Sequence, residues 1–317
     1  MNIAVDMMGG DFAPVEAVKA LQFFLPQPQQ DVHLILIGDK NQIDPLLVDY
    51  NVDKLNVSVV HAEQVIEMHE HPTKAFKEKQ KSSIAIGFHL LATDKADAFI
   101  SAGNTGAMMV GALFSIKAIE GVLRPTIGGY MPNENGRLSL LLDVGLNSDC
   151  KAENLSQFAV LGSLFSQHIL NTQNPRVALL NLGEEEGKGN LLTQAAYPML
   201  KENKQINFVG NAEGRDLLHD KADVYVCDGF TGNVILKFAE SIYDIVQNRK
   251  IKDEHFDRFN FEIYGGVPVL GVNKPVIIGH GISHAKAFDN MIRMAKKMLD
   301  ENLIDKMRNS FAPNPAS

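Results

Sequence analysis

The chain has 317 residues, of which 45% are hydrophobic and 21% are charged, and its formal net charge is −8 at pH 7. This composition excludes a disordered chain and fits one large globular domain or two interlocked lobes. The net negative charge excludes a general electrostatic field for nucleic acid, so an anionic ligand must be bound by a local feature.

Short apolar runs alternate with helical stretches along almost the whole chain. Strands are predicted at 2–7, 32–37, 57–61, 97–101, 126–131, 138–144, 176–182, 206–209, 223–227 and 275–279. Helices are predicted at 14–25, 72–80, 82–93, 105–118, 151–170, 189–203, 232–247 and 285–309. Near-continuous apolar strands between helices predict an α/β fold with a mainly parallel sheet covered on both faces. Residues 248–262 are expected to form a polar excursion, and residues 312–317 a frayed tail.

Targeting and disulfide signals are missing from the sequence. The N-terminus lacks the charged and apolar regions of a signal peptide, and no apolar run reaches the about 18 residues of a membrane span. The two cysteines, Cys150 and Cys227, form neither a CxxC pair nor a disulfide framework. We therefore expect two reduced thiols in a cytoplasmic protein.

Seven of the predicted strands run into glycine, in six cases together with Asp, Asn, Ser or Thr. The strings at these exits are MMGGD, SAGNTGA, DVGLN, NLGEEEGKGN, GNAEGRD, DGFTGN and GHG. Parallel sheets bind ligands outside the carboxyl ends of their strands, and glycine there lets backbone N–H groups approach a ligand closely. One such exit is an ordinary turn, but seven in one chain predict a ligand site.

The exit SAGNTGA is the sharpest candidate for binding an anion. It places Gly103, Asn104, Thr105 and Gly106 at the start of a predicted helix. Backbone N–H groups and the helix dipole favour a phosphate or an oxyanion there. The alternative is an ordinary helix start that is capped by Asn104 or Thr105.

Lys188 and Asn233 carry the side-chain chemistry of two other exits. Lys188 lies between glycines after a strand, where its ammonium can act as a point charge for phosphate; the alternative is a solvated surface lysine. The string GEEEGKGN misses the P-loop pattern, so nucleoside triphosphate binding by that route is rejected. In DGFTGN, Asn233 can polarise a carbonyl or stabilise an oxyanion, and a capping turn is the alternative.

The remaining polar groups are weaker candidates. Asp6 and Asp11 flank the first glycine pair and can orient a lysine or fix a loop, and His280 lies between two glycines at a strand exit. A packed, hydrogen-bonded histidine is the alternative for His280. No HExxH or Cys/His spacing occurs, so we expect no metal.

A local basic patch stands out in this acidic chain. It consists of Lys74, Lys77, Lys79 and Lys81. Such a patch can dock an acidic partner, and the alternative is a solvated helix face.

The strings MGGD, SAGNTGA, LLDVG.N, NLG.E..KGN, GN.EGRD, DGFTGNV.LK, YGG...LG and HG occur in this order between residue 2 and about residue 295. This set resembles the PlsX-type phosphate acyltransferases of bacterial phospholipid synthesis. The resemblance implies transfer of a fatty acyl group from acyl-ACP (acyl carrier protein) to inorganic phosphate, giving acyl phosphate. It implies a single domain over 1–317 with a three-layer Rossmann-like fold, similar to the phosphotransacetylase and isocitrate dehydrogenase group.

The resemblance also implies no cofactor, a homodimer, acyl carrier protein as a partner, a downstream glycerol-3-phosphate acyltransferase and peripheral contact with the inner membrane face. Lys188 and Asn233 match the family's KGN and TGN motifs and are implied to be catalytic. The basic patch is the candidate docking surface for the carrier protein. Candidates for binding phosphate or substrate are Asp6, Gly9, Gly10, Asp11, Ser101, Gly103, Asn104, Thr105, Gly106, Asp143, Asn147, Asn190, Asn211, Arg215, Asp228, Thr231, Gly232 and His280.

The chain departs from the family pattern in three places. Leu146 and Val267 stand where alanine is usual, and the stretch between Val234 and Tyr264 is shorter than the family norm. In the family that stretch carries a helical excursion implicated in membrane contact.

The mechanism expected from these residues needs no acyl-enzyme, because phosphate is already anionic and GxSxG is absent. Backbone amides of 103–106 and Lys188 would offset charge repulsion, and Asn233 would stabilise the tetrahedral oxyanion. The helices at 105–118 and 154–170 are apolar enough to line an acyl tunnel or to be ordinary core. Two alternatives stay open: a nicotinamide-dependent decarboxylating dehydrogenase on a related fold, and a non-catalytic acyl-carrier or lipid-binding scaffold.

Overall fold

The computed structural model describes residues 1–25, 31–52 and 55–312. The chain divides into two compact units. Unit 1 consists of Met1–Ala118 and Phe261–Ile304, and unit 2 consists of Ile119–Asn260 and the segment from Asp305 onward. The predicted tail at 312–317 lies, apart from residue 312, outside the described residues.

The described residues form alternating strands and helices. The strands are β1 (Asn2–Asp6), β2 (His33–Gly38), β3 (Val57–His61), β4 (Ala98–Ser101), β5 (Thr126–Pro132), β6 (Leu138–Leu142), β7 (Arg176–Leu180), β8 (Asn207–Ala212), β9 (Val224–Val226), β10 (Gly266–Leu270) and β11 (Val276–Gly279). The α-helices are α1 (Val15–Phe24), α2 (Lys40–Asp49), α3 (Pro72–Glu78), α4 (Ser83–Ala92), α5 (Thr105–Gly111), α6 (Ala152–His168), α7 (Leu191–Glu202), α8 (Gly229–Asn248), α9 (Glu254–Asp257), α10 (Ala285–Asp300) and α11 (Leu303–Phe311). A π-helical turn, Ala112–Ile116, continues α5, and 3₁₀ turns lie at Gly214–Leu218 and Phe261–Ile263.

Each strand predicted from the sequence is present, but three details differ. The single helix predicted at 285–309 is wrong, because Asn302 adopts a left-handed conformation (φ 50°) that ends the helical path between α10 and α11. Helix α2 was not predicted, since its apolar spacing is weak and it contains Pro45. Strand β10 was not predicted either, because it begins with glycine and contains Pro268.

The sheet of unit 1 has the strand order β3-β2-β1-β4-β11-β10. All neighbours are parallel except β10, which runs antiparallel to β11. Helix α4 packs on the face that carries Phe99, where a Cβ at Gly87 would lie 2.3 Å from the Phe99 ring. Helix α10 packs on the opposite face, where Met291 contacts Gly279. Both faces are covered, and the exits of β1, β4 and β11 lie side by side.

The sheet of unit 2 has the strand order β5-β6-β9-β7-β8. Only β5 is antiparallel to its neighbour. Helix α6 packs on the face of Leu142, because Gly162 leaves room for that side chain, and Leu236 of α8 contacts Gly129 on the other face. The mainly parallel α/β architecture expected from the sequence is therefore confirmed within each unit.

The polar excursion predicted at 248–262 is a series of short elements. Helix α8 ends at Asn248, and α9 follows with Asp253 as its N-cap, whose side chain accepts from His255 N at 2.8 Å. None of the helices within the described ranges combines the length and the apolar character that a membrane crossing requires.

Candidate active site

The exits of β1 and β4 in unit 1 are joined through the Asp6 carboxylate. Ser101 Oγ donates to Asp6 Oδ2 at 2.6 Å, and Met8 N donates to Asp6 Oδ1 at 3.0 Å. Ser101 Oγ in turn accepts from Gly103 N at 2.9 Å. Asp6 is fully buried, and this burial raises the pKa of its carboxyl above the ordinary value. Asp6 and Ser101 therefore hold the two loops together from inside.

The glycine pair after β1 allows a third exit to join this group. A Cβ at Gly9 would lie 2.6 Å from Gly103 N, so only glycine permits this contact. Gly10 has φ +96°, and a Cβ there would lie 2.9 Å from the Gly281 carbonyl oxygen. Asp11 N donates to that same oxygen at 2.7 Å, while its side chain is exposed. The three exits thus form one continuous backbone surface.

Asn104 caps helix α5, and its side-chain amide is fully hydrogen-bonded within the protein. Its Oδ1 accepts from Ala107 N at 2.9 Å, and its Nδ2 donates to the Glu67, Met68 and Glu70 carbonyl oxygens at 3.0, 3.3 and 3.1 Å. The side chain is only 4% exposed. The capping interpretation therefore describes Asn104, and an anion at this exit would meet main-chain groups instead.

The neighbouring residues Thr105 and Gly106 supply those main-chain groups. Thr105 is exposed and Gly106 is half-buried. Among the described residues, neither N–H donates a hydrogen bond. A Cβ at Gly106 would lie 2.3 Å from Pro72, so glycine is required where α3 and α5 meet.

His280 lies beside this group as a packed ring. It stacks on Phe261 with 4.8 Å between ring centroids, and its Nδ1 accepts from Ile282 N at 3.5 Å.

The basic patch is partly neutralised by glutamates. Lys79 Nζ lies 2.6 Å from Glu70 Oε2, and Lys81 Nζ lies 2.8 Å from Glu63 Oε2. Lys74 and Lys77 are exposed on α3, and no carboxylate of the described residues pairs with them. The positive charge available to a partner therefore comes from these two lysines.

In unit 2, Asp143 organises the exit of β6. Its carboxylate accepts from Gly145 N and Leu146 N at 3.1 Å each, and from Asn147 N and Nδ2 at 2.7 Å each. Asp143 is fully buried, which raises its pKa. The Asn147 carbonyl oxygen accepts from Gly229 N at 2.7 Å, so this loop also fixes the start of α8.

The start of α8 presents Asn233 beside that loop. Asp228 is the N-cap and accepts from Thr231 N at 2.9 Å and Thr231 Oγ1 at 2.8 Å. A Cβ at Gly232 would lie 1.8 Å from the Asp143 carbonyl oxygen, so the TGN glycine is a packing requirement. Asn233 is exposed and its Nδ2 donates to the Val144 carbonyl oxygen at 3.1 Å. The second hydrogen of that amide remains for a ligand.

Lys188 lies on a loop that is fixed at several points. Asn181 Nδ2 donates to the Lys188 carbonyl oxygen at 3.1 Å, and Asn211 Nδ2 donates to the Glu185 carbonyl oxygen at 2.9 Å. Gln194 Nε2 donates to the Gly189 carbonyl oxygen at 2.9 Å. The role of Gln194 was missed in the sequence, because an exposed glutamine on a helix gives no motif signal.

The electrostatic surroundings leave the Lys188 ammonium available. Its side chain is exposed, and it forms no ion pair with any described residue. Two of the glutamates that precede it are paired elsewhere, Glu184 with Lys221 at 2.6 Å and Glu186 with Lys201 at 2.9 Å.

The glycine after Lys188 is required by the local backbone. Gly189 has φ +105°, and a Cβ there would lie 2.0 Å from Thr193 Oγ1 and 2.3 Å from Asn181 Oδ1. The next residue, Asn190, caps α7 by accepting from Thr193 N at 2.9 Å. The KGN string therefore positions the lysine through backbone geometry.

Two candidates at the exit of β8 already have partners within unit 2. Asn211 is only 3% exposed and serves the Lys188 loop. Arg215 is exposed and pairs with Glu213 at 2.7 Å.

A cleft of about 300 Å³ opens in unit 2 at the carboxyl ends of β7 and β9. Residues of the first turns of α7 and α8 line it, with Leu155 of α6 on another side. Cys227 also lines the cleft, and burial raises its pKa well above the ordinary thiol value. Partial burial likewise raises the pKa of Cys150 to about 11, and thiols of raised pKa are poor nucleophiles.

Comparison with known proteins agrees with this arrangement of motifs. The family model described as "Fatty acid synthesis protein" matches residues 1–256 and 248–306. A phosphate acyltransferase of Dictyoglomus turgidum is 44% identical in an alignment of 319 positions that covers 94% of this chain and 94% of the relative. A phosphate acyltransferase of Pelotomaculum thermopropionicum is 44% identical in an alignment of 330 positions that covers 98% of this chain and 95% of the relative.

The chain belongs to the phosphate acyltransferase family of enzymes. A phosphotransacetylase structure from Streptococcus pyogenes has a TM-score of 0.65 with 16% identity, and the match covers 94% of each chain. This likeness confirms the three-layer α/β fold expected from the sequence.

Within this member of the family, each unit brings together its own strand-exit candidates. Unit 1 gathers Asp6, Gly9, Gly10, Asp11, Ser101 and Gly103, with Thr105 and Gly106 at the start of α5. Unit 2 gathers Asp143, Asn147, Asp228, Thr231, Gly232 and Asn233 around one loop, and Lys188, Asn190 and Asn211 around another. Among the described residues, no three His, Cys, Asp or Glu side chains are grouped so that they could share a metal ion.

Proposed function

We propose that this enzyme transfers a fatty acyl group from acyl-ACP to inorganic phosphate and so supplies acyl phosphate for phospholipid synthesis. The observation that carries the proposal is the exposed ammonium of Lys188, which is held by its backbone and has no carboxylate partner among the described residues. The product is an activated acyl group, so its consumer would be another acyltransferase such as one acting on glycerol 3-phosphate.

The proposed chemistry is a direct displacement. A phosphate oxygen attacks the thioester carbonyl carbon and forms a C–O bond, and the carbonyl oxygen becomes a tetrahedral oxyanion. When the oxyanion collapses, the C–S bond breaks and the carrier leaves as a thiolate. A thiol titrates near about 8.5, so this leaving group needs no strong general acid. Cys227 is buried, Cys150 is half-buried, and the pKa of each thiol is raised, so the proposal contains no acyl-enzyme step.

Lys188 and Asn233 are the residues to which we assign the reaction in unit 2. The Lys188 ammonium would offset the negative charge of phosphate. Asn233 Nδ2 gives one hydrogen to the Val144 carbonyl oxygen, and its other hydrogen would stabilise the oxyanion. Removal of one such donor costs about 2.7–4 kcal/mol of transition-state stabilisation.

In unit 1 we assign phosphate binding to main-chain N–H groups. Asp6, Ser101 and Asn104 are buried in contacts that hold the loops, whereas the N–H groups of Thr105 and Gly106 have no acceptor among the described residues. Backbone donors at a helix start favour an anion. Asp6 and Asn104 thus act on the shape of this exit.

We assign carrier-protein docking to Lys74 and Lys77. Both are exposed on α3, while Lys79 and Lys81 already pair with glutamates. Complementary charges at an interface raise the association rate with an acidic partner. We place the enzyme in the cytoplasm, consistent with two free thiols.

A homodimer completes the proposal. Phe230, Val234, Phe238 and Ile245 of α8 are each more than half exposed. At 3.6 residues per turn these four side chains fall within one stripe of the helix. An exposed apolar stripe supports an interaction surface between protein chains. Light scattering of the wild type should give twice the chain mass, and Phe238→Glu should lower the measured mass. A monomeric wild type would contradict the homodimer. Flotation with vesicles tests membrane contact separately.

The reaction is tested by trapping its product. Purified enzyme, palmitoyl-ACP and phosphate are incubated with hydroxylamine, which converts acyl phosphate to a hydroxamate. Hydroxylamine also attacks the thioester directly, so we expect hydroxamate above that background only when enzyme and phosphate are both present. Binding of the carrier without hydroxamate would favour the scaffold alternative, and absorbance change at 340 nm with a nicotinamide cofactor and a hydroxy acid would favour the dehydrogenase.

A further inference from the structure

The cleft in unit 2 lies close along the chain to both residues assigned to catalysis. Its lining includes Asn190, two residues after Lys188, and Thr231, two residues before Asn233. It opens at the carboxyl ends of β7 and β9, which are neighbouring parallel strands. A ligand in this cleft therefore lies between the KGN and TGN strings.

The walls of the cleft are mainly apolar. Leu155 comes from α6, Leu180 from β7, Leu192 from α7 and Ile235 from α8, and Leu182 follows β7. The Cys227 side chain adds a buried, uncharged surface, because its thiol is 3% exposed and its pKa is raised by burial. Three helices and one strand thus contribute branched apolar side chains to one space.

The polar side chains in the lining already make hydrogen bonds within the protein. Asp228 accepts from the N–H and the hydroxyl of Thr231, and Asn190 accepts from Thr193 N. Asn181 accepts from Leu182 N at 2.9 Å and donates to the Lys188 carbonyl oxygen. Asp228 would also repel an anion. The cleft therefore suits an uncharged, apolar ligand and opposes phosphate.

We propose that this cleft binds the fatty acyl chain of the thioester donor, an inference that rests on the proposed acyl transfer. Its volume of about 300 Å³ leaves room for several methylene groups of an acyl chain. Each buried methylene strengthens binding about fourfold. The enzyme then selects donors by chain length through Leu192 and Ile235.

The chain contains no tryptophan, which permits a direct binding measurement. Leu182→Trp places a single indole at an exposed position of the lining, and Leu123→Trp places one at an exposed position of unit 2 outside the lining. Without phosphate, we expect a dibrominated stearoyl-ACP to quench the fluorescence of Leu182→Trp by at least half and that of Leu123→Trp by under a tenth. Equal quenching of both variants, or none of either, overturns the proposal.

A turnover series provides the second readout. In wild type, kcat/KM for acyl-ACP should rise about fourfold per methylene and level off once the chain fills the cleft. Ile235→Phe and Leu192→Phe should lower kcat/KM for palmitoyl-ACP at least tenfold and leave butyryl-ACP within twofold. The matched control Leu191→Phe changes an 88% exposed neighbour outside the lining and should match wild type at every length.

These readouts separate the two proposals. If kcat/KM falls equally at all chain lengths in both cleft variants while the wild type still forms hydroxamate, the proposed acyl cleft is wrong and the proposed reaction is unaffected. If the wild type forms no hydroxamate above the direct reaction of hydroxylamine with any donor, the proposed reaction itself is wrong.

Discussion

The two units use the same kind of strand exit in opposite ways. In unit 1, the polar side chains of Asp6, Ser101 and Asn104 are buried and hydrogen-bonded within the loops. The groups that remain exposed to a ligand there are main-chain N–H groups. In unit 2, Asp143 turns inward in a similar way, but Lys188 and Asn233 project to the surface beside a cleft. Similar glycine-rich motifs therefore form a main-chain surface in unit 1 and position exposed side chains in unit 2.

The difference arises from which side chains make the hydrogen bonds that hold each loop. The Asn104 amide meets three carbonyl oxygens and has no capacity left. The loop that carries Lys188 is held instead by other amides, those of Asn181, Asn211 and Gln194. A functional side chain stays available when its neighbours fix the backbone for it.

The largest effect is expected for Gly189→Ala. The new Cβ would lie 2.0 Å from Thr193 Oγ1 at a backbone φ of +105°, so the loop must move and Lys188 with it. We expect kcat/KM to fall at least a hundredfold in the hydroxamate assay, since a displacement of about 1 Å can cost that much. Gly187→Ala is the control in the same loop, because nothing lies within 4 Å of its Cβ. Equal activity of the two variants would break the claim that backbone geometry positions the lysine.

Thr105→Pro tests the main-chain surface of unit 1. Thr105 is the first residue of α5 after the Asn104 cap, a position that tolerates proline while its N–H is removed. We expect KM for phosphate to rise about tenfold, as one charge-assisted hydrogen bond is lost. Thr105→Ala removes only the side chain and should stay within twofold. If Thr105→Ala matches Thr105→Pro, then the hydroxyl and not the N–H binds phosphate.

The paired substitution Lys74→Glu with Lys77→Glu tests docking on unit 1. We expect KM for acyl-ACP to rise about fivefold, mostly at low salt, with kcat and KM for phosphate unchanged. Lys95→Glu changes another exposed lysine of the same unit. Similar increases for both charge reversals would assign the effect to net charge alone.

The smallest effect concerns the thiols of unit 2. With a pKa of about 11, Cys150 has roughly 0.3% thiolate at pH 8.5, and the fraction grows as pH rises. Maleimide should therefore label the native enzyme slowly at pH 8.5 and the chain in guanidinium rapidly, with two equivalents. Cys227→Ala should keep kcat within twofold. Rapid native labelling that abolishes activity would restore a nucleophilic cysteine to the mechanism.

The sequence predicted the strand exits well, because glycine with short polar residues after an apolar run has few other physical readings. It did not predict which exits are neighbours. Strand β11 pairs with β4, and β9 pairs with both β6 and β7, although none of these pairs is consecutive in the chain. Such pairings depend on contacts between distant residues. Helix α2 was not predicted because it contains Pro45. Helix α10 was predicted to be too long because nothing in the apolar pattern indicated the left-handed backbone at Asn302.

The site was predicted by residue type but not by orientation. Asn104 and Asn233 look alike in their motifs, yet the first is buried as a cap and the second is exposed. Lys79 and Lys188 look alike as lysines, yet the first is paired with Glu70. Only the three-dimensional positions of glutamates and carbonyl oxygens decide which side chains stay available.

The most direct measurement compares Lys188→Ala with Lys204→Ala, which changes another exposed lysine of unit 2. Both variants are assayed for hydroxamate formation from palmitoyl-ACP and phosphate, and their urea midpoints are recorded. We expect Lys188→Ala to lose at least a hundredfold in kcat/KM with an unchanged midpoint, while Lys204→Ala matches wild type. Activity of Lys188→Ala within twofold of Lys204→Ala would contradict the assignment of the phosphate charge to Lys188.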